Sequence, residues 1–445
     1  MVQVRDLNQQ SEGPTNGYKH KLFYNNMQKS PYLQLNTNPF LKSHLIANYY
    51  IESKFGLSKA AAEVAAESSI GTWTKLSTLS KKTQKKLGPK IFKLDYKNKV
   101  AHIAYPLDLF ERGNITQLLS GLAGNVFSMK VIKNLRLLDI EFPQKYLNAF
   151  SGPAYGIEGV RRILIIDQRP IIGSIIKPKL GLTARQHAKL AYDIWMNGID
   201  LVKDDENLTN MRFNLFRDRV KYVLDLKRKA ETKTGQKKMH VFNVTGPADV
   251  MLERAKLVKR SGGRVVMIDL VACGLDNVDF LRRQNLGLIL HGHRAGHSMF
   301  TKNSRHGMTM LLLAKLARLT GIDQLHTGTV VGKMEVTEQT VKKINQSMVE
   351  DWFGVNNQSD DWSDIKPVLP IASGGLHPGL VPDLVKILGH NIVINFGGGL
   401  HGHTDGSIAG ARACRQAVDA VEKGIDLKNY AKNHPELKKA LEYWS

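Results

Sequence analysis

A lysine followed by three acidic residues is the stretch of this sequence with the clearest chemical potential. Lys203, Asp204, Asp205 and Glu206 come at the end of a short apolar run, Gly-Ile-Asp-Leu-Val. Side chains alternate along a strand, so Lys203 and Asp205 are predicted to share a face, with Glu206 at the turn. Two carboxylates suit Mg²⁺, which prefers oxygen ligands. The lysine can contribute to metal binding only if its positive charge is removed. Reaction with CO₂ would convert its amine into an anionic carbamate, a third oxygen ligand.

Lys177 and Lys179, on either side of Pro178, form a second group of candidate residues. A lysine at a strand end is usually just solvated. Two of them opposite a metal site could instead include a general base whose pKa is lowered by neighbouring positive charge. Both interpretations remain open on this segment alone.

Histidines and cations gather in two later segments, HGHRAGH and HTGTVVGK. His291 and His293 share a face and could be metal ligands, acid–base groups or core histidines. Arg294 offers a fork suited to phosphate. The second segment adds His326 and a glycine-containing loop whose Lys333 could close over an anionic substrate.

Two glycine-rich strand ends, Ser373-Gly374-Gly375 and Gly397-Gly398-Gly399, are candidates for phosphate binding. Glycine lets backbone N–H groups approach a phosphate closely, although a glycine run can also be only a tight turn. Together with Arg294 and His326 they would make two phosphate sites, which suits a bisphosphate.

Eight short β-rich runs alternate with amphipathic helical segments such as TARQHAKLAYDIWMNG and MTMLLLAKLARLTG. The predicted strands are 173–179, 198–206, 239–246, 264–272, 287–294, 323–328, 368–375 and 392–399. This alternation predicts a TIM (β/α)₈ barrel over residues 151–445, with a doubly wound sheet as the alternative. Nearly every run ends in polar or glycine residues, at the end where such a barrel keeps its active site.

Residues 1–150 do not show this regular alternation of β-rich and helical segments and are predicted to form a smaller α+β domain. SKAAAEVAAESS is typical of a helix, and KIFKLDYKNKVAHIAYP of paired strands. About the first 40 residues, rich in Asn, Gln and Lys, are predicted to be partly disordered.

The formal charge of +23 raises nucleic acid as a partner, but the excess is spread thinly along the chain. Its concentrations at 81–90 and 227–238 fall at predicted helix ends or loops, so a solvated basic face is favoured over a nucleic-acid site. No apolar stretch reaches the roughly 20 residues that span a bilayer, and the N-terminus has no signal-peptide core. We therefore expect a cytoplasmic protein without a membrane partner.

In their order and spacing, GSIIKPKLGL, GIDLVKDDEN, HGHRAGH, HTGTVVGK, SGGLHPG and NFGGG resemble the large subunit of ribulose-1,5-bisphosphate carboxylase/oxygenase, RuBisCO. AAESSIGTWT and GLAGNVFSMK resemble the substrate-contacting segments of its N-terminal domain. The resemblance covers about residues 45–444. DDENLTN, HGHRAGH and LHPGLVP look closer to the form III and form II/III branches than to plant enzymes.

The resemblance implies carboxylation of ribulose 1,5-bisphosphate by CO₂, with O₂ as competing substrate. It implies that Lys203 is carbamylated and binds Mg²⁺ with Asp205 and Glu206. Lys177 would remove the substrate proton with support from Lys179. His293 would assist proton transfer, and Lys333 would stabilise the carboxylated intermediate.

The remaining implied contacts are to the substrate. One phosphate and nearby hydroxyls would meet Arg294, His326 and Ser373, and the other phosphate would meet Gly375, Gly397 and Gly398. A neighbouring subunit would contribute Glu67, Thr72, Trp73 and Asn125, which implies a homodimer with shared sites; the branch implies no small subunit, and a role in AMP salvage or non-photosynthetic carbon fixation.

One segment departs from the family pattern. After the last glycine run the sequence is LHGHTDG, where the family more often has Thr-Leu-Gly-His-Pro, so Leu400, His401 and Thr404 differ. Two rival functions remain: a RuBisCO-like enolase or isomerase of sulfur salvage, and a noncatalytic basic binding protein. Retention of Lys177, His293, Lys333 and Trp73 argues against the first, and intact chemistry at the strand ends argues against the second.

Overall fold

The structure, a computed structural model, describes residues 30–37, 42–72, 74–331, 337–353 and 360–444. Most of the segment predicted to be partly disordered lies outside these ranges, as do two predicted site residues, Trp73 and Lys333. Within residues 30–37, Leu33 forms a parallel β-bridge with Ile91 and Tyr32 is buried.

The N-terminal region is built on an antiparallel sheet. Its strands are β1 (His44–Glu52), β2 (Lys90–Asp95), β3 (Val100–Pro106) and β4 (Asn134–Glu141). The central strand β1 pairs with both β3 and β4, and β2 pairs with β3 as the hairpin pattern predicts. The helices of this region are α1 (Leu57–Glu67), α2 (Lys81–Leu87), α3 (Ile115–Leu122) and α4 (Gln144–Leu147), with 3₁₀ turns at Leu107–Leu109 and Asn125–Ser128.

Eight parallel strands close into a barrel, which confirms the predicted fold class. In order around the barrel they are β5 (Ile171–Ile175), β6 (Leu201–Lys203), β7 (Met239–Asn243), β8 (Val265–Asp269), β9 (Ile289–His293), β11 (Gln324–His326), β14 (Leu369–Ser373) and β15 (Val393–Phe396). The strands are shorter than predicted: β5 ends at Ile175 and β6 at Lys203. Lys177 and Asp205 therefore lie just beyond the strand ladder.

Helices surround this barrel. They are α5 (Gly156–Leu164), α6 (Ala184–Met196), α7 (Phe216–Thr234), α8 (Ala248–Arg260), α9 (Leu270–Cys273), α10 (Leu275–Arg283), α11 (Ser298–Thr301), α12 (Met310–Leu319), α13 (Glu338–Val349), α14 (Val381–Leu388), α15 (Gly398–His401), α16 (Gly406–Glu422), α17 (Leu427–Ala431) and α18 (Pro435–Tyr443), with a 3₁₀ turn at Pro378–Leu380. The two predicted helices α6 and α12 start at threonine N-caps, and in α6 the side chains of Thr183 and Gln186 form a capping box.

The barrel interior is filled by apolar side chains. Ile171, Leu201, Val241 and Val265 belong to one buried cluster, which α5 residues such as Val160 join. Because side chains alternate along a strand, Lys203 lies on the same face of β6 as Leu201, two residues earlier. The sequence of β6 thus directs Lys203 into the barrel at its carboxyl end, above the packed interior.

A short strand from the barrel region extends the N-terminal sheet. β10 (Gly307–Met308) pairs in parallel with β4, and a separate two-stranded ribbon is formed by β12 (Trp352–Phe353) and β13 (Asp360–Asp361). Lys315 of α12 also reaches Asp139 of β4, with 3.0 Å between Nζ and Oδ1. The segment after β9 therefore ties the two regions together. In the described residues, no helix is both long enough and apolar enough to cross a bilayer.

Candidate active site

Lys203 is a buried amine at the carboxyl end of β6. Its Nζ donates a hydrogen bond to the carbonyl oxygen of Asp204 at 2.9 Å, and the side chain is fully inaccessible to solvent. Burial lowers the pKa of Lys203 because an ammonium ion loses solvation there, whereas the negative charges of Glu206 and Asp205 oppose this shift. The neutral amine, which is the form that reacts with CO₂, is favoured by such a site.

Lys177 meets the acidic segment directly. Its Nζ donates to Oδ2 of Asp205 at 2.7 Å, and Lys179 Nζ lies 3.8 Å from Oε1 of Glu206. Burial by itself would raise the pKa of Asp205, but hydrogen bonds from Lys177 and Asn207 hold it below its usual value. The structure thus brings together the two lysine-containing segments that the sequence singled out separately.

His293 lies between two carboxylates. Its Nδ1 is 2.8 Å from Oδ1 of Asp269, and its Nε2 is 3.7 Å from Oε2 of Glu206. Asp269 Oδ1 is an acceptor, so Nδ1 carries a proton, and Nε2 lies on the Glu206 side of the ring. Sequence reasoning missed Asp269, although it lies in the predicted strand RVVMIDLVA, at a strand end like the other site residues.

Lys203, Asp205 and Glu206 form a donor set that fits Mg²⁺. All three lie at the end of β6, and a carbamate on Lys203 would complete an all-oxygen set of the kind that a hard cation prefers. Asp205 has one cationic partner among the described residues, the Lys177 ammonium, and its carboxylate could exchange that partner for a metal ion. The residues present are therefore those that could hold the ion.

Asp204, between these residues, faces away from the predicted ligands and is held by buried partners. Its Oδ2 accepts from Arg219 Nε at 3.0 Å and from the Asn243 N–H at 3.0 Å. Its Oδ1 lies 2.8 Å from Nε2 of His240 and 3.1 Å from Nε2 of His187. The two histidines and Asp204 have metal-ligand spacing. The Arg219 guanidinium already balances the carboxylate, so this set is an electrostatic anchor; sequence reasoning missed it.

Four side chains beyond Lys203, Asp205 and Glu206 form a hydrogen-bonded series. His291 Nδ1 is 2.9 Å from Gln324 Oε1, His291 Nε2 is 3.0 Å from His326 Nε2, and His326 Nδ1 is 2.8 Å from Ser373 Oγ. Gln324 Oε1 only accepts, so His291 Nδ1 carries a proton and His291 Nε2 accepts from His326 Nε2. His326 Nδ1 then accepts the hydrogen bond that the Ser373 hydroxyl donates. Burial lowers the pKa of both histidines well below the usual value, and both rings are neutral. Of the interpretations open for His291, the structure favours a core histidine.

Arg294 is a buried cation without a countercharge in the described part of the chain. Burial lowers its pKa to about 10, and its Nη2 lies 2.8 Å from where a Cβ on Gly328 would be. No acceptor among the described residues takes a hydrogen bond from its guanidinium. A buried cation with free donors is a strong site for an anionic ligand.

The glycine-rich ends of β14 and β15 present free backbone donors. The N–H groups of Gly375, Gly397 and Gly398 have no hydrogen-bond acceptor among the described residues. A Cβ on Gly398 would meet open space, whereas a Cβ on Gly399 would lie only 2.0 Å from the carbonyl oxygen of Leu376. Gly398 is thus free to face a ligand, and Gly399 is required for packing between the two loops.

Three of the N-terminal residues predicted to contact substrate, Glu67, Thr72 and Asn125, belong to the described part of the chain. Glu67 ends α1, and Asn125 begins a 3₁₀ turn that contacts α1. No hydrogen bond or ion pair between described residues links Glu67, Thr72 or Asn125 to the strand ends of the barrel.

Family models match both regions of the chain. Residues 32–146 match the N-terminal domain of the ribulose bisphosphate carboxylase large chain, and residues 156–444 match its catalytic domain. The predicted domain boundary at residue 150 falls between the two matches and stays a prediction.

Curated relatives span nearly the whole chain. A ribulose bisphosphate carboxylase of Methanocaldococcus jannaschii is 47% identical over 93% of this chain and 99% of its own length. That of Pyrococcus abyssi is 46% identical over 93% of this chain and 96% of its own length. Both relatives are archaeal, which agrees with the predicted closeness to the form III branch.

Solved structures give the same result. An octameric RuBisCO from Pyrococcus horikoshii, solved with sulfate ion, superposes with a TM-score of 0.87 at 44% identity, covering 95% of this chain and 96% of that one. A dimeric archaeal RuBisCO from Hyperthermus butylicus has the same TM-score of 0.87 at 40% identity, covering 95% and 99%. With the barrel and its strand-end residues, these matches show that the chain belongs to the ribulose bisphosphate carboxylase large-chain family.

Proposed function

We propose that this protein catalyses the carboxylation of ribulose 1,5-bisphosphate, in which CO₂ and water are added and the chain of five carbons is cleaved into two molecules of 3-phosphoglycerate. O₂ would compete with CO₂ for the same intermediate. The observation that carries the proposal is the cluster of Lys177, Lys203, Asp205, Glu206 and His293 at the carboxyl ends of β5, β6 and β9, in a chain of this family.

Activation would begin at Lys203. Its neutral amine would attack CO₂ and lose a proton, which leaves a carbamate with one negative charge. Carbamate, Asp205 and Glu206 would then hold Mg²⁺, which supplies a Lewis acid for the oxygens of the substrate. The Asp204 carboxylate, held by Arg219, would keep this segment in place while Lys203 changes from an amine to an anionic carbamate.

Proton transfer is assigned to Lys177 and His293. Lys177 would take the proton from carbon 3 of the substrate as a neutral amine, so its ammonium form would first have to release one proton to solvent and give up its hydrogen bond to Asp205 Oδ2. Lys179, 3.8 Å from Glu206, would support it. His293 would use Nε2 for proton transfer during hydration and cleavage, because Asp269 keeps a proton on Nδ1. Lys333, outside the described residues, is proposed to stabilise the carboxylated intermediate.

The two phosphates would bind at opposite sides of this cluster. Arg294, His326 and Ser373 would contact one phosphate and nearby hydroxyls, since the guanidinium of Arg294 has free donors. The free N–H groups of Gly375, Gly397 and Gly398 would bind the other. Backbone donors of this kind need no side-chain movement to meet an anion.

A homodimer is proposed to complete the site. Glu67, Thr72, Trp73 and Asn125 would reach the site of the partner subunit. This agrees with the lack of hydrogen bonds and ion pairs, among the described residues, from Glu67, Thr72 and Asn125 to the strand ends of their own barrel. The dimeric and octameric states of the two similar structures support an assembly built from dimers, and no small subunit is proposed. From the family branch, the role would be nucleotide salvage or carbon fixation without photosynthesis.

The test is fixation of labelled CO₂ into 3-phosphoglycerate by the purified protein, after preincubation with bicarbonate and Mg²⁺. We expect product with the wild-type protein and none with Lys203→Ala, because that variant cannot form the carbamate. Lys189→Ala is the matched control: Lys189 pairs with Asp193 on the exposed face of α6, and its loss should leave fixation unchanged.

Two outcomes would contradict the proposal. Fixation that survives in Lys203→Ala would refute the carbamate. Absence of product from a folded and activated wild-type dimer would favour an enolase or isomerase of the same family, which can be detected by exchange of the carbon 3 hydrogen with solvent.

A further inference from the structure

His401 belongs to LHGHTDG, the segment that departs from the family pattern, and it is the last residue of α15. It follows the phosphate-binding glycines by three residues, and its ring turns back toward β5. His401 Nε2 lies 3.0 Å from the carbonyl oxygen of Ile175, the last residue of that strand, and Nδ1 lies 2.9 Å from Ser407 Oγ. The imidazole thus spans from the loop after β15 to the strand that leads into Lys177.

The chemistry of the contacts assigns one tautomer. A backbone carbonyl only accepts, so Nε2 carries the proton and donates to Ile175, and Nδ1 accepts from the Ser407 hydroxyl. Burial lowers the pKa of His401 to about 4, with a smaller contribution from the positive charge of Lys177, so the ring is neutral near pH 7. Both nitrogens are therefore used, and the ring is oriented from both sides.

Neighbouring contacts extend this connection to the predicted metal ligands. Ile176, next along the chain from the acceptor, donates its N–H to the carbonyl oxygen of Lys203 at 3.1 Å. Gly397 packs against the same strand end: a Cβ there would lie 3.3 Å from Cγ2 of Ile175 and 3.8 Å from Cε of Lys177. A displacement of the loop after β15 would therefore be felt at Lys177.

We propose that His401 is a positioning residue that joins the phosphate-binding loop after β15 to the end of β5, and so fixes the distance between the substrate phosphate and Lys177. In family members with leucine at this place, the side chain has no hydrogen-bonding group and the loop must be held by other means. The inference rests on the proposed function, since it concerns the same substrate.

The test compares two substitutions at this position. His401→Leu removes both hydrogen bonds and keeps an apolar side chain. His401→Gln keeps an amide donor at about the reach of Nε2 and can preserve the bond to Ile175. We measure KM and kcat with the activated enzyme, and the Kd of ribulose 1,5-bisphosphate by calorimetry with the wild-type and variant proteins without Mg²⁺.

We expect His401→Leu to raise both Kd and KM by about fivefold or more, the equivalent of one lost hydrogen bond, and to lower kcat as well. His401→Gln should restore most of the loss. The matched control is His403→Gln in the same loop, because Nε2 of the buried His403 lies 2.9 Å from the carbonyl oxygen of Glu436 in α18. That variant should lower the thermal midpoint and leave KM, Kd and kcat unchanged.

The outcomes separate this inference from the proposed function. Unchanged Kd, KM and kcat in His401→Leu, with active wild-type enzyme, would overturn the role of His401 alone. Equal losses in His401→Leu and His401→Gln would also overturn it, because the bond to Ile175 would then not be the cause. If wild-type protein binds ribulose bisphosphate without carboxylating it, a weaker Kd in His401→Leu that Gln restores would support the positioning role while the carboxylase proposal fails.

Discussion

At the ends of β6 and β9, the candidate binding groups are ionisable side chains, whereas at the ends of β14 and β15 they are free backbone amides. We call the first region the metal half, defined by Lys203, Asp205, Glu206 and His293, and the second the phosphate half, defined by Gly375, Gly397 and Gly398. In the metal half the positioning comes from buried charge, through the contacts of Asp204 with Arg219 and the two histidines. In the phosphate half it comes from close backbone packing and from His401.

The difference follows from the kind of ligand group each half uses. Side-chain carboxylates rotate and repel one another, so they need neighbours with fixed countercharges. Backbone N–H groups are positioned by the chain itself, so they need residues small enough to let the loops approach. A substitution that removes charge should therefore damage the metal half most, and one that adds volume should damage the phosphate half most.

The largest expected effect is that of Asp204→Asn. It would leave the Arg219 guanidinium buried without its countercharge, which typically costs about 3–5 kcal/mol. Chemical denaturation should show a loss of that order in the free energy of unfolding. The matched control is Asp405→Asn in the loop of the phosphate half, where Asp405 forms an exposed pair with Lys439 and no measurable loss is expected. Similar free energies of unfolding for the two variants would contradict the view that buried charge positions the metal half.

A pair of neighbouring glycines tests the phosphate half. Gly399→Ala would place Cβ 2.0 Å from the carbonyl oxygen of Leu376, and we expect about 2 kcal/mol of lost stability from the forced displacement. Gly398→Ala would meet no protein atom within 4 Å, so its stability should be unchanged. Its KM for ribulose bisphosphate should rise about tenfold, because the methyl group lies where the backbone must approach the phosphate. Equal KM values for Gly398→Ala and wild type would argue against this phosphate site.

Ligand-dependent melting separates the halves directly. At ten times Kd a ligand stabilises the folded protein by about 1.4 kcal/mol. Mg²⁺ with bicarbonate should therefore raise the thermal midpoint of wild-type protein but not of Lys203→Ala, and chelation should reverse the rise. Inorganic phosphate should stabilise both proteins, and the stabilisation should be smaller in Gly398→Ala, in which only the Arg294 site is intact. A rise with Mg²⁺ and bicarbonate in Lys203→Ala would indicate that the ion binds elsewhere.

The smallest expected effect is at the junction of the halves. Ser373→Ala removes the donor to His326 Nδ1 and leaves a buried acceptor unpaired, a loss of about 1 kcal/mol in unfolding free energy. A rise of a few-fold in KM should accompany it. Ser363→Ala is the control, since the Ser363 hydroxyl donates to Asp361 at an exposed position. Should Ser373→Ala match that control in both measurements, the histidine series would have no role in joining the halves.

Much of the site could be predicted from sequence because its residues come at strand ends. Lys177, Lys203, Asp205, Glu206, His293 and Arg294 each follow an apolar run, and parallel strands in a barrel bring their carboxyl ends to one side. The pairing of Lys177 with Asp205 agrees with that expectation. Strand ends were less predictable: β5 stops at Ile175 and β6 at Lys203, before the polar segments Lys177-Pro178-Lys179 and Asp204-Asp205-Glu206 that the predicted strands included.

The residues that sequence reasoning missed act through partners far away in the chain. Asp204 looked like one more acidic residue of its segment, yet its carboxylate meets Arg219 in α7 and His240 in β7. Asp269 lay in a predicted strand with no sign that it orients His293. His401 had only its departure from the family pattern as a signal. Such roles depend on which way a side chain points, and a single sequence does not contain that direction for residues beyond a strand.

The sequence by itself determined the barrel, the smaller N-terminal domain and the chemical kinds of group at the strand ends, because periodicity and residue type are local properties. Only the tertiary structure decided which of those groups contact one another and which are positioned by residues outside the site. Whether a buried carboxylate binds a cation or anchors the chain depends on the charges within a few ångströms of it, and those charges come from residues that only folding brings together.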